Sequence, residues 1–123
     1  MQRKDKGPLG EQTALDHLLG AGLTLIERNY SCKLGEVDLI MTDQSALAET
    51  LVFFEVRYRN TQQFGGAAAS VDAVKQKKLI RTAHHFLKTH PKLRKLPARF
   101  DVIALSGKPA EPDLRWIKQA FQA

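Results

Sequence analysis

The sequence predicts a single α/β domain: a mixed central sheet flanked by helices, with elements in the order α-β-β-β-α-β. Three observations carry this. An apolar stripe at helical spacing near the N-terminus is closed by glycines, three segments rich in β-formers follow at short intervals, and a long basic helical stretch precedes one further strand. The chain has 123 residues, which suits one packed core spanning residues 1–123. Residues 1–7 read as a flexible N-terminal segment.

The first helix is expected over about residues 8–20. Leu9, Ala14, Leu15, Leu18 and Leu19 recur at its period, and Gly20-Ala21-Gly22 ends it. Leu23 to Tyr30 is rich in β-formers and bounded by glycine, which predicts a strand. A second runs from Gly35 to Met41, where Val37, Leu39 and Met41 alternate with Glu36, Asp38 and Ile40. After a turn around Asp43-Gln44-Ser45, the residues Val52, Phe53, Phe54, Val56 and Tyr58 mark a third strand from Leu51 to Arg59. Three strands in close succession predict an antiparallel meander. The small-residue segment Phe64 to Ala69 reads as a loop, and Ser70 as the N-cap of a long helix ending near Thr89, with Asp72 in its first turn. Pro91 and Pro97 bracket a basic connector. Arg99 to Leu105 is a fourth main strand, and Leu114 to Ile117 a short edge strand after the turn-rich segment Gly107 to Pro112.

Composition narrows the function classes. Hydrophobic residues at 43% and charged residues at 26% are ordinary globular values and exclude a disordered or collagen-like chain. No apolar run reaches the roughly 18 residues of a membrane span, and the basic N-terminus is not followed by an apolar signal core. Cys32 stands alone, which excludes an intrachain disulfide or a thiolate metal cage and fits a reducing compartment, so a cytoplasmic location is expected and no membrane partner. Lys and Arg number 19 against 13 Asp and Glu, a net charge of +6, which favours an anionic partner, nucleic acid first.

The acids fall in informative places. Glu11, Ala14, Leu15 and Leu18 stand at i, i+3, i+4 and i+7, so Glu11 lies on the sheet-facing stripe of the first helix. A carboxylate aimed inward is costly unless it meets a cation or donors. Strand alternation puts Glu36, Asp38 and Ile40 on one face of the second strand, and Phe53, Glu55, Arg57 and Arg59 on one face of the third. If those strands are neighbours, Asp38 and Glu55 project side by side, and like charges on adjacent strands repel. One resolution is a solvated face neutralised by Arg57 or Arg59. The other is a bound cation: two strand carboxylates and one helix carboxylate are hard oxygen donors of the kind that Mg²⁺ or Mn²⁺ takes. Arg57, two residues beyond Glu55 on the same face, would then stand where it can contact a phosphate.

The segment GEVDLI (35–40) followed by FFEVR (53–57) resembles the D…ExK core of the PD-(D/E)XK, or restriction-endonuclease-like, nucleases. More closely, Gly10-Glu11, GEVDLI, FFEVRYR, FGGAAASV with the lysines after it, and Arg99 to Ile103 resemble the small bacterial YraN-like proteins, over nearly the whole chain. The resemblance implies a restriction-endonuclease-like core and a Mg²⁺- or Mn²⁺-dependent hydrolysis of phosphodiester bonds in DNA rather than RNA, with structured or branched DNA among the substrates. It makes Glu11, Asp38, Glu55 and Arg57 catalytic, and Glu11, Asp38, Glu55 and the Val56 carbonyl metal ligands. It also implies that two copies pair as a homodimer where two strands are cut. One departure stands out: Arg57 occupies the place of the superfamily's lysine, and arginine cannot shed its proton to act as a base. A nuclease-fold module that binds nucleic acid with little or no turnover is therefore the alternative.

The basic residues are concentrated. Between Asp72 and Asp101 there is no acid, whereas Lys75, Lys77, Lys78, Arg81, Lys88, Lys92, Arg94, Lys95 and Arg99 all fall there. Lys75, Lys78, Thr82 and His85 line one side of the long helix, and Lys75, Lys78, Arg81 and Arg59 are the expected nucleic-acid contacts, set against a merely solvated basic face. His84, His85 and His90 lack a closed set at zinc spacing and read as helix surface or nucleic-acid contacts. Trp116 and Phe121 read as packing, with base stacking the other use.

Overall fold

The computed structural model describes residues 7–45, 47–59, 71–108 and 111–123. Helix α1 (Gly7–Gly20) is followed by strands β1 (Thr24–Cys32), β2 (Gly35–Asp43) and β3 (Thr50–Arg59), helix α2 (Ala73–Lys88), a 3₁₀ turn at Pro91–Lys95, and strands β4 (Ala98–Lys108) and β5 (Glu111–Phe121). The five strands form one sheet in sequence order, antiparallel throughout except for the parallel pair β3 and β4. The mixed sheet and the α-β-β-β-α-β order are those expected, and are consistent with a restriction-endonuclease-like core. The N-terminal segment before Gly7 and the loop Phe64 to Ala69 lie outside the described residues.

The two helices cover opposite faces. Ala14, Leu15 and Leu18 of α1 pack on Leu39, Met41, Val52, Phe54, Ile103 and Leu105. Leu79, Ala83 and Phe86 of α2 pack on Val37, Ile40, Leu51, Phe53, Phe100 and Val102. β3 lies between both layers, so every residue from Leu51 to Val56 is buried, as the central strand of a covered sheet requires.

Three expectations change. The helix cap is Asp72 rather than Ser70: its carboxylate accepts the Lys75 N–H at 2.8 Å, and α2 begins at Ala73. Thr82 is buried rather than on a polar stripe, with its hydroxyl donating to the Lys78 carbonyl at 2.7 Å. The edge strand is longer than Leu114 to Ile117 because a buried network holds its far end. Opposite the irregularity between Phe100 and Val102, Asp101 accepts the Gln119 N–H and the Trp116 indole N–H, each at 2.9 Å, together with Arg99 Nε at 3.0 Å. Trp116 thus serves packing, and Phe121 stacks on Phe100.

Alternation in β1 and β2 breaks at one shared step. Arg28 faces α1, where it bridges to Glu11, but Tyr30 faces α2 and meets Phe86. On β2, Leu39 belongs to the α1 layer and Val37 to the α2 layer, so Val37, Leu39 and Met41 do not share one face as simple alternation expects. Asn29, opposite Asp38 in the register, has φ +56°, a left-handed conformation that turns the ribbon. The hairpin tip therefore curls over α2. There Gly35, at φ +152°, passes so close that an added Cβ would stand 2.9 Å from Thr82 Oγ1.

At the opposite end of the sheet, Asp43 accepts hydrogen bonds from the Ser45 N–H and hydroxyl and an ion pair from Arg99 at 2.8 Å. Burial pushes this carboxyl upward, but the hydrogen bonds from Ser45 and Arg99 and the Arg99 charge outweigh it and hold it at about 2 against an ordinary 3.8. The unfolded chain binds this proton at a higher pH than the folded one. The contribution, roughly 2 kcal/mol, is therefore full above the unfolded value and fades as pH falls toward the folded one. Urea titrations between pH 5 and pH 2 should show that loss in the wild type, and Asp43→Asn should remove this component while lowering stability at neutral pH. Gly35→Ala should cost about 1–3 kcal/mol in the same assay, and Gly35→Ala with Thr82→Ala should recover the steric part only.

Candidate functional site

The ribbon bend sets the site. β2 pairs with β3 from Asp43–Thr50 up to Leu39–Phe54, and the pairing then stops. Asp38 is the next residue of β2, fully buried at 0% exposure, and its Oδ2 accepts the Val56 N–H at 2.8 Å. A side-chain oxygen thus replaces the ladder acceptor where the strands part. The N–H and C=O of one strand residue point the same way, so the Val56 carbonyl looks into the same gap.

Glu55, 2% exposed, stands across the gap from Asp38. Its Oε2 lies 3.2 Å from the Arg57 guanidinium and 3.6 Å from Lys75 Nζ. The Asp72 cap fixes the turn of α2 that brings Lys75 over Glu55, so the lysine faces a carboxylate at the sheet rather than open solvent. Both cations remain about one-third exposed, which makes them the lip of the site and the acids its floor.

Glu11 is buried at 3% exposure, as its place on the apolar stripe of α1 predicts. Arg28 Nη2 lies 3.9 Å from Glu11 Oε1 while Nη1 donates to Gln12 Oε1. The structure therefore brings Asp38 and Glu55 together across one strand gap and sets Glu11 on the α1 side. Among the described residues, no three His, Cys, Asp or Glu side chains converge as a ready metal cage. Glu36 is half-buried at the hairpin tip beside Ser31. Lys78 and Arg81 are exposed on α2, and the Arg59 side chain lies outside the described residues.

The histidines are accounted for differently from expectation. His85 hydrogen-bonds to Tyr30 OH, and His90 stacks on Phe86 and contacts its carbonyl, so both are packing groups. Only His84 of the three is exposed. Sequence reading missed Arg28, whose approach to Glu11 depends on the β1 bulge between Leu25 and Glu27 and has no local motif.

The model of the uncharacterised protein family UPF0102 matches residues 10–105. A UPF0102 protein of Stutzerimonas stutzeri is 46% identical over 122 residues, covering 99% of this chain and 98% of the relative. That decides the family. The chain belongs to UPF0102. A second UPF0102 protein, from Alcanivorax borkumensis, is 47% identical over 97% of this chain and 93% of its own length, and one from Psychromonas ingrahamii is 50% identical over 95% and 89%. The UPF0102 segment runs from just before Glu11 to the middle of β4, so it contains Asp38, Glu55, Arg57 and Lys75 and leaves out β5. Among the described residues no helix is long and apolar enough to cross a membrane.

Because the Asp38 carboxylate accepts the Val56 N–H, Asp38→Ala should leave that N–H buried without this acceptor, at a cost of about 1–3 kcal/mol. Amide hydrogen exchange checks this directly. Protection of Val56 should drop in Asp38→Ala and persist in Glu55→Gln.

Proposed function

We propose that this UPF0102 chain is a Mg²⁺-dependent nuclease that hydrolyses phosphodiester bonds of DNA, within the restriction-endonuclease-like superfamily, and that branched or otherwise structured DNA is among its substrates. The observation that carries the reading is the pair of buried carboxylates, Asp38 and Glu55, on adjacent strands where the β2–β3 pairing ends, with Arg57 and Lys75, each about one-third exposed, at the lip. Burying two acids side by side is expensive for a fold that only needs packing. A divalent ion and a phosphate would use both halves of the arrangement.

The donor set fits such an ion. Mg²⁺ is held through one or two carboxylates and keeps several waters, so Asp38, Glu55 and the Val56 carbonyl suffice without a third acid. Mn²⁺ takes the same oxygen donors. Bound there, the ion would supply Lewis-acid polarisation of the phosphorus centre and a more acidic water. Arg57 presents a planar fork that holds two phosphate oxygens and stabilises added negative charge, but it stays protonated and takes no proton. Lys75 adds a point charge from the helix side. Glu11, buried on the α1 side beside Arg28, is the helix carboxylate of the same proposed metal site.

The second reading is a nucleic-acid-binding module with the same fold and little turnover. Arg57 in the lysine position favours it. Labelled duplex, single-stranded, flap and four-way DNA incubated with Mg²⁺ or Mn²⁺ separates the two. The nuclease reading expects cleavage that falls at least a hundredfold in Asp38→Ala and Glu55→Ala. Absence of cleavage, or cleavage that survives both substitutions, overturns it, and metal-independent binding unchanged by Asp38→Ala would then support the module.

A further inference from the structure

The outer face of α2 carries cations that the carboxylate site does not use. Lys77, Arg81, His84 and Lys88 stand at i, i+4, i+7 and i+11, all exposed, on the side turned away from the sheet. The stripe continues into the 3₁₀ turn, where Lys92, Arg94 and Lys95 are also exposed. No acid interrupts it in the sequence from Ala73 to Phe100. Lys75, by contrast, is turned toward Glu55.

A cleft of about 380 Å³ opens along one edge of this stripe. His84 belongs to both features, and the remaining walls include Leu87, Ala98, Phe100, Gln119 and Phe121. Its aromatic floor is ordered: Phe53 stacks on Phe100 at 5.5 Å between centroids and Phe100 on Phe121 at 5.0 Å. Arg99 also borders the cleft, but Asp43 and Asp101 neutralise it, so the floor carries no net cation. A pocket with a stacked aromatic wall, a few side-chain amides and a cationic rim matches one kind of ligand group, a flat heteroaromatic ring attached to a phosphate chain.

We infer that the outer face of α2 is a second, single-strand-selective nucleic-acid surface, in which Lys77, Arg81 and Lys88 track the phosphates and one unpaired base enters the Phe100–Phe121 cleft beside His84. A paired base cannot leave its stack to enter the cleft without an unpairing cost, whereas a single strand, a flap or a junction arm presents free bases. The cleft lies near the C-terminal end of α2, and Lys75 near its N-terminal end, about 14 Å apart at 1.5 Å per residue. This surface therefore goes beyond the carboxylate site and rests on the proposed function only in taking nucleic acid as the partner class.

Fluorescence anisotropy with a labelled single-stranded oligonucleotide and a duplex of equal length, in EDTA so that cleavage is silent, tests this. Wild type should bind the single strand more tightly. Lys77→Gln/Arg81→Gln/Lys88→Gln should weaken single-strand binding at least tenfold and flatten its salt slope by about two, near 0.7 per lost contact. Ala98→Leu, at an exposed position that fills the cleft, should weaken the single strand at least threefold and leave the duplex unchanged. It should also abolish the change in 2-aminopurine emission expected with wild type. Far-UV circular dichroism confirms that each variant is folded, and Phe121→Leu gives a second cleft variant should Ala98→Leu misfold. Equal binding of single strand and duplex, or an Ala98→Leu protein indistinguishable from wild type, overturns the base pocket. A triple variant that binds like wild type overturns the stripe, as does binding to anionic vesicles with none to oligonucleotide. Loss of cleavage in the metal assay leaves these results untouched, and failure here with cleavage intact overturns this surface alone.

Discussion

The hydrogen bond from the Val56 amide to the Asp38 carboxylate is the constraint around which the site end of the sheet is arranged. β2 cannot follow β3 past Leu39, because Asn29 on its other neighbour turns left-handed at that step and swings the hairpin toward α2. A buried strand amide without an acceptor costs on the order of a lost hydrogen bond or more. Asp38 meets that demand, and in doing so is held at the mouth of the gap beside Glu55. The bend, the gap and the carboxylate pair are one feature.

The same device appears a second time and shows what a purely structural version looks like. Asp101 also occupies a step where a ladder breaks and also accepts a backbone amide, that of Gln119. There the remaining lone pairs are taken by Arg99 and the Trp116 indole, inside the core layer, and Arg99 ties the cluster on to Asp43. Every partner in that cluster comes from strands of one packed end. At Glu55 the cations come instead from side chains about one-third exposed. A structural carboxylate is enclosed by its donors, whereas Glu55 is met by groups that water also reaches.

Much of this was legible from periodicity. The helical spacing that put Glu11 inward, and the strand alternation that put Glu55 with Phe53 on the α2 side, are local rules that the packing obeys. The α-β-β-β-α-β order followed from the same rules. What escaped them has non-local causes. The positive φ at Asn29 carries no signal in one sequence, yet it reverses the face of Tyr30 and Val37. Thr82 reads as polar, but its hydroxyl is satisfied by its own helix, so it can be buried against the Gly35 turn. The length of β5 depends on Asp101, which sits one strand away. Arg28 reaches Glu11 through a bulge that no spacing announces.

Charge pairing at the lip bears on how the proposed chemistry would begin. Arg57 and Lys75 both meet the same oxygen of Glu55, so this carboxylate is neutralised by its own neighbours. Each pair joins a buried carboxylate to a cation that water also reaches. In the proposed reading Asp38 and Glu55 would hold a divalent ion, which would supply Lewis-acid chemistry, and Arg57 and Lys75 would meet the phosphate. Arg57 suits that proposed role: it takes no proton, and it keeps a fixed positive fork at every working pH.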